Sequence, residues 1–164
     1  MIEYGHNGLL VFLSLLVSLV AGFTGLSLTK DLSSKSFSQR KIAVALASFA
    51  LGGGIWSMHF VAMLGLQMPI LFYYDAAITL VSALIAILLV AVALGLLHFT
   101  NRTPVTIIAA GGITGIGILA MHYVGMAGLQ LCRAVYTAPG LLIAFGAAVF
   151  MCIMDFRIGY HNRK

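Results

Sequence analysis

Long apolar stretches alternate with short polar segments along the whole chain. A hydrocarbon core about 30 Å thick needs roughly 20 apolar residues in a helix, and five stretches reach that length. They are Leu9–Thr29, Ile42–Leu66, Ala76–Phe99, Val105–Leu131 and Pro139–Tyr160. Lipid cannot satisfy backbone N–H and C=O groups, so helices are expected, and the alternating runs of a membrane β-barrel are not seen. The pattern predicts an all-α integral membrane protein, a bundle of five transmembrane helices.

Composition supports a chain whose solvent is mostly lipid. Of 164 residues, 62% are hydrophobic and 8% are charged, whereas soluble domains carry about 25% charged residues. This excludes a water-soluble globular fold, and it excludes disorder, which needs few apolar residues and much charge. A basic balance can indicate nucleic-acid binding. Here the basic residues lie in the polar connections, so they indicate membrane orientation and no nucleic-acid partner is expected.

The distribution of Lys and Arg predicts the orientation, because cytoplasmic connections carry an excess of both. Eight of the nine fall on one side of the predicted bundle, and only Arg133 falls on the other. The eight are Lys30, Lys35, Arg40, Lys41, Arg102, Arg157, Arg163 and Lys164. We therefore expect the N-terminus outside and the C-terminus in the cytoplasm. The first stretch has no basic region before it, so it is expected to be a span and not a cleaved signal peptide.

An internal repeat relates two parts of the chain at an offset of 63 residues. Met58–Gln67 aligns with Met121–Gln130, and seven of the ten positions are identical. Glycines upstream match as well, including Gly52 with Gly115. Such self-similarity indicates a repeated structural unit, here a pair of helices. We expect one domain over 1–164, with units at about 1–67 and 73–130 and an incomplete third at 136–164.

The repeat contains one histidine in each copy, His59 and His122, at matching depth roughly 10–12 Å below the outer surface. Ionisable side chains within a bilayer are costly and indicate function. A methionine follows each histidine at i+4, on the same helix face, and another precedes it. Taken singly, each methionine is more often core filler. The candidate metal site comprises His59, His122, Met63, Met126, Met58 and Met121.

The chemistry of these donors favours copper, because thioethers select Cu(I) and imidazole also suits copper. Two histidines on separate helices could alternatively be axial ligands of a b-type haem in an electron-transfer subunit. A channel or transporter is a weaker alternative, since the spans lack intramembrane acids and broken helices. No catalytic constellation is visible, so we do not expect an enzyme.

Other polar and small residues have ordinary structural interpretations. Gly111 and Gly115 lie within an apolar span, where glycines allow helices to pack closely. Asp75 precedes the third span and is expected to cap it. His98, at the cytoplasmic end of that span, is expected to be interfacial or solvated.

The repeated Met-His-aromatic pattern, at Met58-His59-Phe60 and Met121-His122-Tyr123, resembles the MHYT domain of bacterial membrane sensors. The resemblance covers essentially the whole chain. It implies a bacterial inner-membrane sensory module that binds copper through these Met and His residues near the outer face. It further implies sensing of a diatomic gas (oxygen, carbon monoxide or nitric oxide) and a cytoplasmic output domain or partner, often in cyclic-di-GMP signalling. The family pattern has three motif copies over six or more spans, whereas this chain has two.

Overall fold

The chain folds into five long α-helices. The computed structural model describes residues 5–67, 73–101, 103–130 and 138–161. The helices are α1 (Gly8–Leu28), α2 (Phe37–Leu64), α3 (Ala76–Phe99), α4 (Pro104–Ala127) and α5 (Ala138–His161). The first four are long and apolar enough to cross a membrane. Helix α5 has the same length as α3 and α4, 24 residues. The predicted all-α membrane fold of five helices is confirmed.

Capping explains why the start of α2 differs from the prediction. Helix α2 begins at Phe37 and not at Ile42, because Ser36 forms a capping box with Gln39. The Gln39 amide donates to Ser36 Oγ at 3.4 Å, and the Ser36 amide donates to Gln39 Oε1 at 3.1 Å. This box extends the helix by one polar turn beyond the apolar stretch.

Helices α2 and α4, which carry the repeated motif, end earlier than the apolar pattern predicts. Helix α2 ends at Leu64 and α4 at Ala127, and in each a glycine follows as the C-cap. The chain then turns into a two-residue strand, β2 (Leu66–Gln67) or β4 (Leu129–Gln130). Residues of these strands are apolar enough to resemble a continuing span, but their backbone is extended.

Short antiparallel ladders close both helix pairs at this end of the bundle. Strand β1 (Gly5–His6) pairs with β2, and β3 (Tyr73–Tyr74) pairs with β4. Beside each ladder, the N-cap amide of the first helix donates to the C-cap glycine carbonyl of the second. The Asn7 amide donates to Gly65 at 2.9 Å, and the Asp75 amide donates to Gly128 at 2.8 Å. Each repeat unit is therefore a helix pair whose first and last residues are joined by backbone hydrogen bonds.

The N-cap side chains of the two units also correspond. Asp75 Oδ1 accepts from the Ile78 amide at 2.9 Å, which confirms the predicted capping role. Asn7 Oδ1 accepts from the Leu9 amide at 3.0 Å in the first unit. Each acceptor satisfies a backbone donor that the helix itself leaves unpaired.

The helices pack against one another in chain order, and glycines form the closest contacts. A Cβ atom added at Gly52 of α2 would lie 2.6 Å from the Ile87 Cα of α3. The equivalent Gly115 of α4 has the same relation to Val149 of α5, at 2.8 Å. Gly111 approaches the α5 backbone as well, one turn away. The predicted packing role of these glycines is confirmed, and the α2–α3 contact recurs between α4 and α5.

Large apolar side chains cover the outside of the helices. Phe23 is 76% exposed and Val105 is 74% exposed, and many Leu, Val and Ile residues of α1, α3 and α4 are similarly open. A soluble monomer rarely exposes so large a contiguous apolar surface. The exposed surface is consistent with lipid as the surrounding medium.

Aromatic and cationic residues join α2 to α3 at the end opposite the ladders. The Arg40 guanidinium donates to the His98 carbonyl and lies 5.4 Å from the centre of the Phe99 ring. Phe37 packs edge-on against Phe99 at 5.8 Å. His98 lies in the last turn of α3, as expected, but it is only 4% exposed, so the expectation of a solvated histidine is wrong. Because α2 begins at Phe37, Arg40 belongs to the helix and reaches the His98 carbonyl.

Several residues used in the sequence analysis lie outside the described ranges. These are Arg102, Arg133, Arg163 and Lys164. The described basic residues Lys30, Lys35, Arg40 and Lys41 all lie at the end of the bundle opposite the ladders or in the α1–α2 connection there.

Candidate metal centre and an adjoining cavity

His59 of α2 and His122 of α4 meet at the ladder end of the bundle. Their ring centroids are 4.7 Å apart, with 65° between the ring planes. Helices α2 and α4 are not neighbours in the chain, and they contact each other only slightly. Two imidazoles therefore occupy a point where two repeat units face each other.

Both histidines lie at the same depth. Each is five residues before the end of its helix, since α2 ends at Leu64 and α4 at Ala127. At 1.5 Å per residue this depth is about 7.5 Å. The predicted matching depth is confirmed, but the pair is shallower than the predicted 10–12 Å because both helices end earlier.

An aromatic cluster lies beside the histidine pair. The Trp56 and Phe60 rings are stacked one turn apart on α2, with centroids 5.2 Å apart and planes 9° apart. Tyr74 of β3 packs edge-on against Phe60 at 5.4 Å. On the other side, the Tyr123 ring lies 5.1 Å from the ring of His122. His122 thus contacts an aromatic ring directly, and His59 lies on the helix segment that carries Trp56 and Phe60.

A small cavity of about 10 Å³ opens beside His59, close to the volume that one water molecule needs. Its lining comes from α2, β3, α3 and α4. The lining residues are Trp56, His59, Phe60, Met63, Tyr74, Thr79, Ser82 and Gly125. The cavity therefore lies where both repeat units contribute walls.

Hydrogen bonds fix the polar side of this cavity. Trp56 Nε1 donates to Ser82 Oγ at 3.1 Å, and the Ser82 hydroxyl donates to the Thr79 carbonyl at 2.6 Å. The Tyr74 hydroxyl donates to the Met63 carbonyl at 3.4 Å. Burial raises the pKa of the Tyr74 phenol, so the tyrosine stays neutral.

The four candidate methionines occupy different environments. Met63 lines the same cavity as His59. Met121 is 1% exposed and is one of the most deeply buried large side chains. Met58 and Met126 are half-buried. Met63 thus lies beside the cavity that His59 borders, and helical spacing places Met126 on the face of His122.

The donor chemistry here fits a copper ion. Two imidazoles lie in contact and a thioether residue lines the adjoining cavity, a combination that suits copper. Within the described ranges, no cluster of three or more His, Cys, Asp or Glu side chains could hold a metal. Imidazole and thioether are not the oxygen donors that magnesium and calcium prefer.

Sequence reasoning found the histidine pair but missed the cavity. Trp56, Tyr74, Ser82 and Gly125 come from separate elements, and no spacing in the sequence relates them. A buried serine and a glycine in apolar helices carry no recognisable signal of their own.

Five apolar helices with a repeated His-containing face define an integral membrane module with an internal site. A profile of the MHYT family, described as "Bacterial signalling protein N terminal repeat", matches residues 52–111 and 115–164. The two matches cover most of the chain and start 63 residues apart, which is the offset of the internal repeat. The chain belongs to the MHYT family, and the resemblance stated from its motifs is confirmed.

Curated relatives carry names of signalling enzymes. The chain is 39% identical over 147 residues to the cyclic di-GMP phosphodiesterase NbdA of Pseudomonas aeruginosa, covering 85% of this chain and 18% of that protein. It is 35% identical over 173 residues to the bifunctional diguanylate cyclase/cyclic di-GMP phosphodiesterase MucR of the same organism, covering 100% of this chain and 25% of that protein. The chain thus spans a quarter or less of the length of these two relatives.

A more distant relative has the same general description. The signaling protein YkoW of Bacillus subtilis is 27% identical over 140 residues, covering 82% of this chain and 17% of that protein. No solved structure matches the chain. The family and these relatives place the chain among membrane signalling modules. The matches give no evidence of a catalytic domain within this chain.

Proposed function

We propose that this chain is a membrane-embedded sensory module that binds a copper ion between His59 and His122 and responds to a diatomic gas. The observation that carries the proposal is the 4.7 Å approach of the two imidazole rings across non-adjacent helices. Each histidine comes from a different repeat unit, so an ion held by both would link the units directly. Met63 and Met126 are the first candidates for added thioether ligands, followed by Met58 and Met121.

An ion that joins the two repeat units could couple ligand binding to the arrangement of the helices, which a sensor requires. A ligand shifts a conformational equilibrium only if its affinity differs between two arrangements of the protein. His59 and His122 would hold the ion from two helices, so a gas that changed the ligands of a bound ion would change the relation of α2 to α4. Because both helices run to the opposite end of the bundle, a change there reaches the connections that carry the basic residues.

The output of the module is proposed from the relatives. NbdA and MucR are named as enzymes of cyclic di-GMP turnover, so an output domain or partner of that kind is the favoured target. The excess of Lys and Arg at the end opposite the histidines supports a cytoplasmic location for that end. The histidine pair then lies near the outer face of the bacterial inner membrane.

Metal analysis of the purified full chain tests the copper site. We expect stoichiometric copper in the wild-type protein and its loss in a His59→Ala, His122→Ala double variant. His98→Gln is the matched control, since His98 is a buried histidine at the other end of the bundle. Circular dichroism verifies that all three proteins stay helical. Unchanged copper content in the double variant would refute the site.

A b-type haem is the second candidate, and the geometry favours the ion over it. Axial ligands lie on opposite faces of the macrocycle, so the ring would have to fit between the two imidazoles, which are in contact here. An absorption spectrum separates the two candidates. A Soret band that disappears with either histidine variant would assign haem and exclude the shared ion.

A further inference from the structure

An open apolar groove lies between α1 and α2, and it shares no lining residue with the cavity beside the histidine pair. Six residues of α1 between Leu13 and Thr24 and one residue of α2, Ala50, form its lining. Its volume of about 400 Å³ is in the range of small-molecule pockets, about 300–1,000 Å³. We propose that the groove holds an acyl chain of an anionic phospholipid whose headgroup lies at Lys30 and Lys35. This site depends neither on a bound metal nor on a gas.

The groove lies where the first repeat unit has smaller side chains than the second. The ladders and the helix starts relate α1 to α3 at an offset of 68 residues, so Ala21 of the groove corresponds to Leu89. Their packing agrees with this offset. A Cβ atom added at Gly54 would meet Ala21, and one added at the equivalent Gly117 would meet Leu89.

The wall that α2 contributes differs in the same way. The offset of 63 makes Ala50 correspond to Ile113 of α4, which packs against a buried apolar cluster. Leucine and isoleucine are much larger than alanine. Two alanines of the first unit therefore leave space at positions that large side chains occupy in the second unit.

The groove is open toward the surface that faces lipid. Leu16 is 42% exposed and Val20 is 66% exposed, and α1 packs chiefly against α2. From Leu13 to Thr24 a helix rises about 16 Å, which is close to half of a hydrocarbon core about 30 Å thick. The groove therefore has about the length of the hydrocarbon of one leaflet, so an acyl chain fits it in chemistry and in length.

Cations follow the groove along the chain. Thr24 lies four residues before the end of α1, and the connection to α2 carries Lys30, Lys35 and one acid, Asp31. Both lysines are exposed. Leu32, between them, is 3% exposed and belongs to a buried core cluster, so it holds the connection against the bundle. Cations close to a membrane surface attract anionic headgroups, so the charge selects an anionic phospholipid over a neutral one.

Native mass spectrometry of the full chain, released from a neutral detergent, measures lipid binding directly. The probes are phosphatidylglycerol, which is anionic, and phosphatidylcholine, which has no net charge, with identical acyl chains. Each lysine near an anionic headgroup contributes about five-fold in affinity, so the wild-type protein should bind one phosphatidylglycerol about 30-fold more tightly than phosphatidylcholine. Equal affinity for the two lipids would overturn the proposal, and this comparison needs no substitution in the bundle.

Two sets of variants separate the groove from the headgroup site. Ala50→Ile places in the groove the residue that the second unit has, and it should weaken both lipids by roughly five-fold or more, because extra methylenes overfill the space. Ala45→Ile is the matched control, since Ala45 is an exposed residue of α2 outside the groove lining. A Lys30→Gln, Lys35→Gln double variant should lose the preference for phosphatidylglycerol and keep its affinity for phosphatidylcholine.

Two results in these variants would also overturn the proposal. One is equal phosphatidylglycerol binding by Ala50→Ile and Ala45→Ile. The other is a dimer of the wild-type chain that carries no lipid and that Ala50→Ile dissociates, because the groove would then be covered by a second copy. Circular dichroism verifies that every variant stays helical. The variants leave both histidines in place, so the copper content of the same samples tests the metal site separately.

Discussion

Substitution of Gly52 by alanine tests whether the close approach of α2 and α3 stabilises the bundle. The new Cβ would lie 2.6 Å from Ile87 Cα and 2.9 Å from the Ala86 carbonyl oxygen. Both neighbours are backbone atoms, so no side-chain rotation can relieve the overlap. The two helices have to separate at this point.

The expected cost follows from overpacking, which typically destabilises a protein by about 1–3 kcal/mol. That range corresponds to roughly a 5- to 150-fold decrease in the ratio of folded to unfolded protein. For a chain of this length, each kcal/mol lowers the midpoint of thermal unfolding by about 2–4 °C. Gly115→Ala should have a cost of similar size, because its Cβ would lie 2.8 Å from Val149 Cα in the repeated contact.

The adjacent residue is the control. Gly53 has nothing within 4 Å of its added Cβ, so Gly53→Ala introduces no contact and gains helix propensity of up to about 1 kcal/mol. Thermal unfolding in one detergent, followed by circular dichroism, should show Gly52→Ala melting below wild type and Gly53→Ala at or above it. Equal midpoints for the Gly52 and Gly53 variants would refute the close packing on which the interpretation rests.

Three further outcomes are expected. Asn7→Ala and Asp75→Ala each remove an N-cap acceptor and should lower the free energy of unfolding by about 1 kcal/mol; no loss on denaturation would contradict the capping roles. Ser82→Ala leaves the Trp56 N–H without its acceptor, so stability should fall by about 1–3 kcal/mol, with altered Trp56 emission; unchanged emission would contradict the bond. Because burial raises the pKa of Tyr74, the unfolded chain ionises first and stability should decrease as the pH rises above 10. Tyr74→Phe should reduce this alkaline loss, as measured by unfolding at several pH values.

The helices themselves were predictable from the sequence, with errors at particular ends. The third span was predicted with the bounds that α3 has. The start of α2 was missed because its first turn is polar and depends on the capping box of Ser36 with Gln39. The ends of α2 and α4 were missed because Leu66 and Leu129, which are apolar, belong to extended ladders and not to the helices.

The repeat was predicted only in part. The offset of 63 relates the second helices, but β1 and β3 are related by 68, so that His6 corresponds to Tyr74. The connection from α1 to α2 is longer than the connection from α3 to α4, which shifts the alignment of the first helices. Similarity of the first helices is therefore hidden from a search at a single offset.

The sequence by itself determined that this chain lies in lipid, that it forms helices, and that two histidines stand at equal depth in repeated units. These properties depend on composition and on spacing along one helix, and both can be read from the order of residues. Only the tertiary structure decided that His59 faces His122, that His98 is buried, and that Trp56, Ser82 and Gly125 enclose a cavity. The physical reason is that lipid tails are as apolar as a protein interior. The apolar pattern of a membrane helix therefore does not mark its packed face, and close contacts between backbones set how each helix is rotated.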